Sequence, residues 1–230
     1  MKQFCLVFLL LFCGCVEAPT SASKPAAPAI VKPWGGFNVE TRGASLENSK
    51  QVVVLLHGYG ASGSDLVPFA DHLAAEGRAF VFPAAPIELD SGGLAWATLE
   101  SEIAASLQSL RSLITYIHEE YPDSEISVGG FSQGASMSSM LVDSATPIER
   151  LILFSPGLFL EGAVKSSNTG PSVYISHGRQ DDILPFSDAQ ELKQTLTDAG
   201  FDVKFTAFDG GHAIPAEVVA EAKAQLDDAG

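Results

Sequence analysis

Residues 125–139 read EISVGGFSQGASMSS, an apolar run that ends in glycines, a serine at position 132, and then a stretch of small residues suited to a helix. The segment Gly130-Phe131-Ser132-Gln133-Gly134 is a G-x-S-x-G, and its setting between a strand and a helix is the one a nucleophile elbow requires. The turn is so tight that side chains two before and two after the serine would collide, which selects glycine at both positions. The serine is pushed out at the start of a helix, where the backbone dipole favours developing negative charge. A small polar residue in a Gly-rich turn is the competing reading, and the rest of the chain must decide between them.

Outward from this stretch, strand-like runs alternate with helical patterns. VVVLL (52–56), AFVFP (79–83), EISVGG (125–130), RLILFS (150–155), SVYISHG (172–178) and DVKFTAFD (202–209) are short, rich in Val, Ile and Phe, and bounded by Gly, Pro or Asp. Between them, ESEIAASLQSLRSLITYIHEEYP carries Ile103, Leu107, Leu110, Ile114 and Ile117 at alternating steps of four and three, which predicts one apolar helical stripe ended by Pro122. Strands apolar on both faces and separated by helices predict an α/β fold with a mostly parallel central sheet covered on both sides. In such sheets ligands bind at the C-terminal ends of the strands.

A serine hydroxyl needs a base, and neutral histidine serves near neutral pH. Of the five histidines, His72 and His118 fall within helical patterns and are expected in solvent, while His57 and His177 end strands. His212, in FDGGHAIPAEV, follows the last strand and precedes the last helix, so it is the candidate base. The acid belongs between Ser132 and His212, in the order typical of α/β-hydrolases, and the loop HGRQDDILP offers Asp181 and Asp182. Two amide donors must also face the oxyanion. They are expected from Gln133, directly after the serine, and from Tyr59 in LLHGYGASGSD, with His57 and Gly58 shaping that turn. A phosphate-binding loop is excluded there because no Gly-Lys-Ser/Thr follows.

The 230-residue chain is 46% hydrophobic and 18% charged, enough for one domain with a substantial core. Its formal net charge of -15 leaves almost nothing with which to bind nucleic acid. The first residues, MKQFCLVFLLLFCGCVEAPT, hold one early cation and an apolar run shorter than the roughly 20 residues of a membrane span, so residues 1–14 read as a signal peptide. LFCGC resembles a lipobox with Cys15 as the lipidated residue, although Phe12 stands where leucine is usual and cleavage further on, after Ala22, is the alternative. Cys5, Cys13 and Cys15 are the three cysteines of the chain, which leaves the remainder without a disulfide or a thiol nucleophile. Residues 15–36 read as a Pro/Ala/Ser-rich tether and 37–230 as the catalytic domain.

LLHGYGASGSDL, PAAP, a tryptophan in the next loop, GGFSQGASMS, HGRQDDILP and GGHAIP occur in the order found in the phospholipase/carboxylesterase family, which includes the acyl-protein thioesterases. The resemblance runs from about Gln51 to Val219. It implies an α/β-hydrolase with little or no lid that cleaves acyl esters or thioesters without metal or organic cofactor. HGRQDDILP resembles the family pattern H-G-x-x-D-x-x-(hydrophobic)-P, which sets Asp181 at the acid position and Asp182 nearer the next helix, as its cap. Trp96 is a candidate wall of the acyl pocket, with burial in the core as the competing reading. Ala97 and Thr98 depart from the aromatic-acid pair often seen there.

The sequence therefore predicts an exported, lipid-tethered, periplasmic or cell-envelope serine esterase acting on small-molecule or lipid acyl esters. Ser132 is its nucleophile, His212 its base and Asp181 its acid, with the amides of Tyr59 and Gln133 holding the oxyanion. The rival readings are an exopeptidase or dienelactone-type hydrolase on the same fold, and a catalytically silent binding module at the cell surface.

Overall fold

Six of the predicted runs form the parallel strands of one sheet in a computed structural model that describes residues 33–142, 146–158 and 170–228. Residues 1–14 and Cys15, assigned to export and anchoring, lie outside the described residues, as do most of those assigned to the tether. The parallel strands are β2 (Gln51–Leu56), β3 (Arg78–Pro83), β6 (Glu125–Phe131), β7 (Arg150–Phe154), β8 (Ser172–Gly178) and β9 (Val203–Phe208). β1 (Val39–Gly43) pairs antiparallel with β3, and the order across the sheet is β1-β3-β2-β6-β7-β8-β9. All six residues of β2 and of β3 are buried, as a sheet covered on both faces demands.

One face packs under α2 (Glu100–Glu120), α3 (Gln133–Ser139) and α4 (Phe186–Asp198). The other packs under α1 (Phe69–Leu73) and α5 (Ala216–Asp227). The α2 stripe sits as its spacing predicts. Leu107, Leu110, Ile114 and Ile117 are buried, Ile103 packs at the margin, and the helix ends two residues before Pro122.

Two features were not legible beforehand. A hairpin of β4 (Ile87–Glu88) and β5 (Leu94–Ala95) stands apart from the main sheet, and Leu94 bridges to Ala61 in the loop after β2. The folded domain also starts before residue 37. Trp34 stacks edge-on against Tyr116 of α2 at 5.2 Å, and Gly35 lies so close to α2 that a Cβ there would sit 2.2 Å from the Ser109 carbonyl oxygen. Residues 33–36 therefore belong to the domain and not to the tether.

The N-terminal ends of the strands are given over to anchoring α5. The buried Arg78 guanidinium donates to the Leu226 carbonyl and to Asp227, both at 2.8 Å, and Arg150 donates to Glu125 at 2.7 Å and to the Asp228 carbonyl. A cleft of about 360 Å³ beside Arg150, lined also by Glu149, Ser172 and Asp202, opens at that edge, and no histidine lines it. The chemistry lies at the opposite edge.

Candidate active site

Ser132 occupies the turn between β6 and α3 with φ 56° and ψ −119°, a strained conformation for a residue with a side chain and the one an elbow imposes. The flanking glycines explain how the turn closes. A Cβ on Gly130 would lie 2.4 Å from the Leu56 carbonyl oxygen and 2.7 Å from the Gly134 carbonyl carbon, and a Cβ on Gly134 would lie 2.1 Å from the same Leu56 oxygen. The two positions thus exclude side chains against each other and against β2. The Ser132 N–H donates to the Phe154 carbonyl at 3.0 Å, which fixes the turn to β7. Ser136 Oγ donates to the Ser132 carbonyl at 3.0 Å and accepts the Gly157 N–H at 2.9 Å, so the loop after β7 is tied to the nucleophile's helix.

The acid and base come from the ends of β8 and β9. His212 Nδ1 donates to Asp181 Oδ2 at 2.7 Å, and the Asp181 side chain has no exposed surface. The other carboxylate oxygen, Oδ1, accepts the N–H groups of Ile183 and Leu184, both at 2.9 Å. Burial pushes the Asp181 carboxyl upward, but the Leu184 amide, the His212 ring and the Ile183 amide outweigh it and hold the group below its ordinary value. A carboxylate facing Nδ1 places the proton there and leaves the Nε2 lone pair to take a serine proton.

His212 Nε2 makes no hydrogen bond among the described residues, and its ring lies 4.7 Å from that of Phe131, next to the nucleophile. Catalytic bonds of this kind tighten when substrate is bound. Gly178 permits the approach of the two loops, since a Cβ there would lie 2.3 Å from the carbonyl oxygens of both Gly210 and Gly211.

The loop after β2 crosses above Ser132, and a Cβ on Gly58 would stand 3.5 Å from that of Ser132. His57 is buried with both ring nitrogens used. Nε2 accepts the Ala85 N–H at 3.0 Å, so Nδ1 carries the proton and donates to the Gly58 carbonyl at 2.8 Å. That carbonyl shares a peptide plane with the Tyr59 N–H, so fixing one end of the plane aims the other. Desolvation lowers the His57 pKa, against smaller opposing effects of the Gly58 carbonyl and Asp65, which favours this neutral tautomer.

Gln133 contributes more than its amide. The first hydrogen bond of α3 runs from Ser136 to Ser132, which leaves the Gln133 N–H outside the helical ladder. Its side chain accepts the Trp96 N–H at 2.9 Å and donates to the Ala97 carbonyl at 2.6 Å. Trp96 Nε1 in turn donates to the His57 carbonyl at 2.8 Å.

The structure corrects the reading of Trp96 as a pocket wall. The residue is fully buried, its ring packed between Phe37 and His57, so it offers no surface to an acyl chain and instead props the loop that presents Tyr59. Asp182 also differs from expectation. It is exposed, and α4 begins four residues later behind Pro185, so it does not cap that helix. His72 and His118 lie exposed on α1 and α2, as their patterns predict. Sequence reasoning missed the clamp by the Gln133 side chain, the Ser136 bridge and a contact of His177 with Asp181. None of them carries a spacing signal.

A strained serine at a strand–helix elbow, a buried Asp–His pair and a buttressed loop above them, all at the C-terminal edge of a parallel sheet, define a serine hydrolase of the α/β-hydrolase fold. The chain belongs to the phospholipase/carboxylesterase family, whose model matches residues 43–228, and it is a hydrolase of ester bonds. It is 29% identical over 215 residues to the acyl-protein thioesterase 1 of Eremothecium gossypii, covering 80% of this chain and 92% of that one. Among solved structures it is similar to esterase PE8, with 26% identity, a TM-score of 0.70, and coverage of 83% of this chain and 97% of the other. The carboxylesterase of Bacillus cereus shares the fold, with 22% identity, a TM-score of 0.72, and coverage of 84% and 94%.

Proposed function

We propose that the chain hydrolyses acyl esters and thioesters through a covalent acyl-enzyme at Ser132. Ser132 Oγ attacks the acyl carbonyl while its proton passes to His212 Nε2, and the amides of Tyr59 and Gln133 receive the oxyanion. Collapse breaks the bond to the leaving alcohol or thiol, which takes the proton back from His212. Water then repeats the sequence, giving its proton to His212 and releasing the carboxylic acid and the free serine. Asp181 holds His212 in the required tautomer throughout. The observation that carries this reading is the 2.7 Å bond between His212 Nδ1 and the buried Asp181 carboxylate, beside a serine strained at φ 56°.

A panel of p-nitrophenyl esters of increasing chain length, set beside lysophospholipid and acyl-thioester substrates, tests it. Turnover of one or more by the wild type and loss of that turnover in Ser132→Ala are expected, and equal activity of the two proteins contradicts the reading. Export belongs to the same proposal, with residues 1–14 as signal peptide and Cys15 as lipid anchor, and it rests on the sequence pattern alone. Cys15→Ser should move the protein from the membrane fraction to the soluble periplasm with specific activity unchanged. A wild type that is wholly soluble removes the anchor.

A further inference from the structure

The two amides that face the oxyanion are left free by the fold: neither the Tyr59 N–H nor the Gln133 N–H makes a hydrogen bond among the described residues. They belong to loops far apart in the chain, one after β2 and one after β6. Donors of this kind stabilise an oxyanion only when both stand at hydrogen-bond distance from the place it will occupy. The gap between them is therefore set by whatever joins the two loops.

The join is a continuous chain of hydrogen bonds that starts at the Gln133 side chain. Its Oε1 accepts the Trp96 N–H at 2.9 Å and its Nε2 donates to the Ala97 carbonyl at 2.6 Å, so both ends of the side-chain amide are engaged by one short segment. Trp96 Nε1 continues the chain to the His57 carbonyl at 2.8 Å, and the His57 ring donates to the Gly58 carbonyl, on the same peptide plane as the Tyr59 N–H. The segment in the middle is rigid. Trp96 and Ala97 are buried, Ser106 of α2 donates its hydroxyl to the Trp96 carbonyl, and Glu102 accepts the N–H groups of Thr98 at 2.7 Å and Leu99 at 2.9 Å. The Tyr59 loop is also held on its far side, where Gly60 N–H donates to the Leu94 carbonyl and Leu94 N–H to the Ala61 carbonyl, both at 2.8 Å.

We infer that the Gln133 side chain is a positioning group for the oxyanion hole: it ties its own backbone amide to the Trp96-Ala97 segment that props the loop of the Tyr59 amide, and so fixes the spacing of the two donors. Cutting the clamp leaves the buried Trp96 N–H and Ala97 carbonyl without partners, which is costly enough to make the segment shift in search of new ones. The indole moves with it, and with the indole the His57–Tyr59 turn. Because the clamp acts on donors that matter most as charge develops, its loss should fall on kcat and not on substrate binding.

The inference rests on the Ser132–His212–Asp181 reading, and the experiment separates the two. Gln133→Met keeps the length of the side chain and removes both hydrogen bonds. The wild type, Gln133→Met, Trp96→Phe and the double variant are assayed for hydrolysis of a p-nitrophenyl ester and for inhibition by an alkyl trifluoromethyl ketone, with circular dichroism to confirm folding. Addition of Ser132 Oγ to that ketone places a tetrahedral oxyanion in the hole without a leaving group, so its Ki reports the two amides directly. Gln133→Met should lose about 10- to 100-fold in kcat, less than outright removal of a donor can cost, with KM little changed. The Ki should rise by the factor by which kcat/KM falls. Trp96→Phe cuts the same chain at its next link, so the double variant should lose less than the product of the two single losses.

A Gln133→Met enzyme with wild-type kcat, a Ki that does not follow kcat/KM, or single losses that multiply in the double variant overturns the inference. If Gln133→Met does not fold, Gln133→Asn takes its place, because an amide one methylene shorter stops short of residues 96 and 97. The same losses in kcat and Ki then support the inference, and wild-type values of both overturn it. A wild type with no esterase activity instead refutes the triad reading beneath it.

Discussion

Gly134→Ala tests the elbow with a single methyl group. The added Cβ would lie 2.1 Å from the Leu56 carbonyl oxygen, 2.5 Å from its carbon and 2.6 Å from the His57 carbonyl oxygen. Each of these is backbone, in a fully buried central strand and the loop it feeds, so no side chain can swing aside. To reach ordinary contact at 3.4 Å, α3 must retreat from β2 by about 1.3 Å. That movement carries Ser132 and the Gln133 amide away from the Tyr59 amide. Overpacking of this kind costs about 1–3 kcal/mol of stability, and a misplacement near 1 Å at the reacting atoms lowers rate by about 10²-fold.

The control is Gly92→Ala in the β4–β5 hairpin, where φ is +84° and nothing lies within 4 Å of the added carbon. It should cost about 1–2 kcal/mol through backbone strain alone and leave kcat unchanged. The assay is thermal unfolding beside steady-state hydrolysis of a p-nitrophenyl ester by both variants. A Gly134→Ala enzyme with wild-type kcat, or one whose rate loss is matched by Gly92→Ala, refutes the reasoning.

Three further outcomes are expected. Asp181→Asn should lower kcat by about 10⁴-fold while the protein stays folded, and Asp182→Asn should have little effect; kinetics of the two variants in parallel would expose a reversal. Trp96→Phe removes the indole donor and strands the buried His57 carbonyl, which should cost about 1–3 kcal/mol in chemical denaturation and depress kcat equally for short and long acyl chains. A change in chain-length preference would instead restore Trp96 to the pocket wall. His57 is held neutral when folded, whereas in the unfolded chain it takes up a proton as pH falls below about 6.5. The stability it contributes is thus complete above that pH and declines below it, so the unfolding free energies of wild type and His57→Gln should converge from pH 7 to pH 5, and a constant difference contradicts the assigned tautomer.

The parallel strands were legible because burial on both faces leaves a continuous apolar run, as VVVLL and RLILF show. β1 was not, because VETRG is an edge strand with two half-buried residues and three exposed ones, and β4 and β5 are too short to carry a period. The nucleophile, base and acid were legible because chemistry restricts residue type and the turns restrict their neighbours. The supports were not. Trp96, the Gln133 side chain and Ser136 act through contacts between segments far apart in the chain, and a buried tryptophan reads the same whether it lines a pocket or props a loop. The start of α4 behind Pro185 was legible in FSDAQELKQTL, but nearness of Asp182 to that start does not make it a cap, because Pro185 takes the N-cap position and Asp182 is left exposed.

Ser132, strained at the elbow and set beside the His212–Asp181 pair, should behave as an activated nucleophile. Intact-mass spectrometry after treatment with a fluorophosphonate, followed by peptide mapping, tests it most directly. One adduct per chain is expected, located on Ser132, formed slowly with Asp181→Asn and absent from Ser132→Ala. A wild-type chain that remains unmodified, or an adduct that persists in Ser132→Ala, contradicts it.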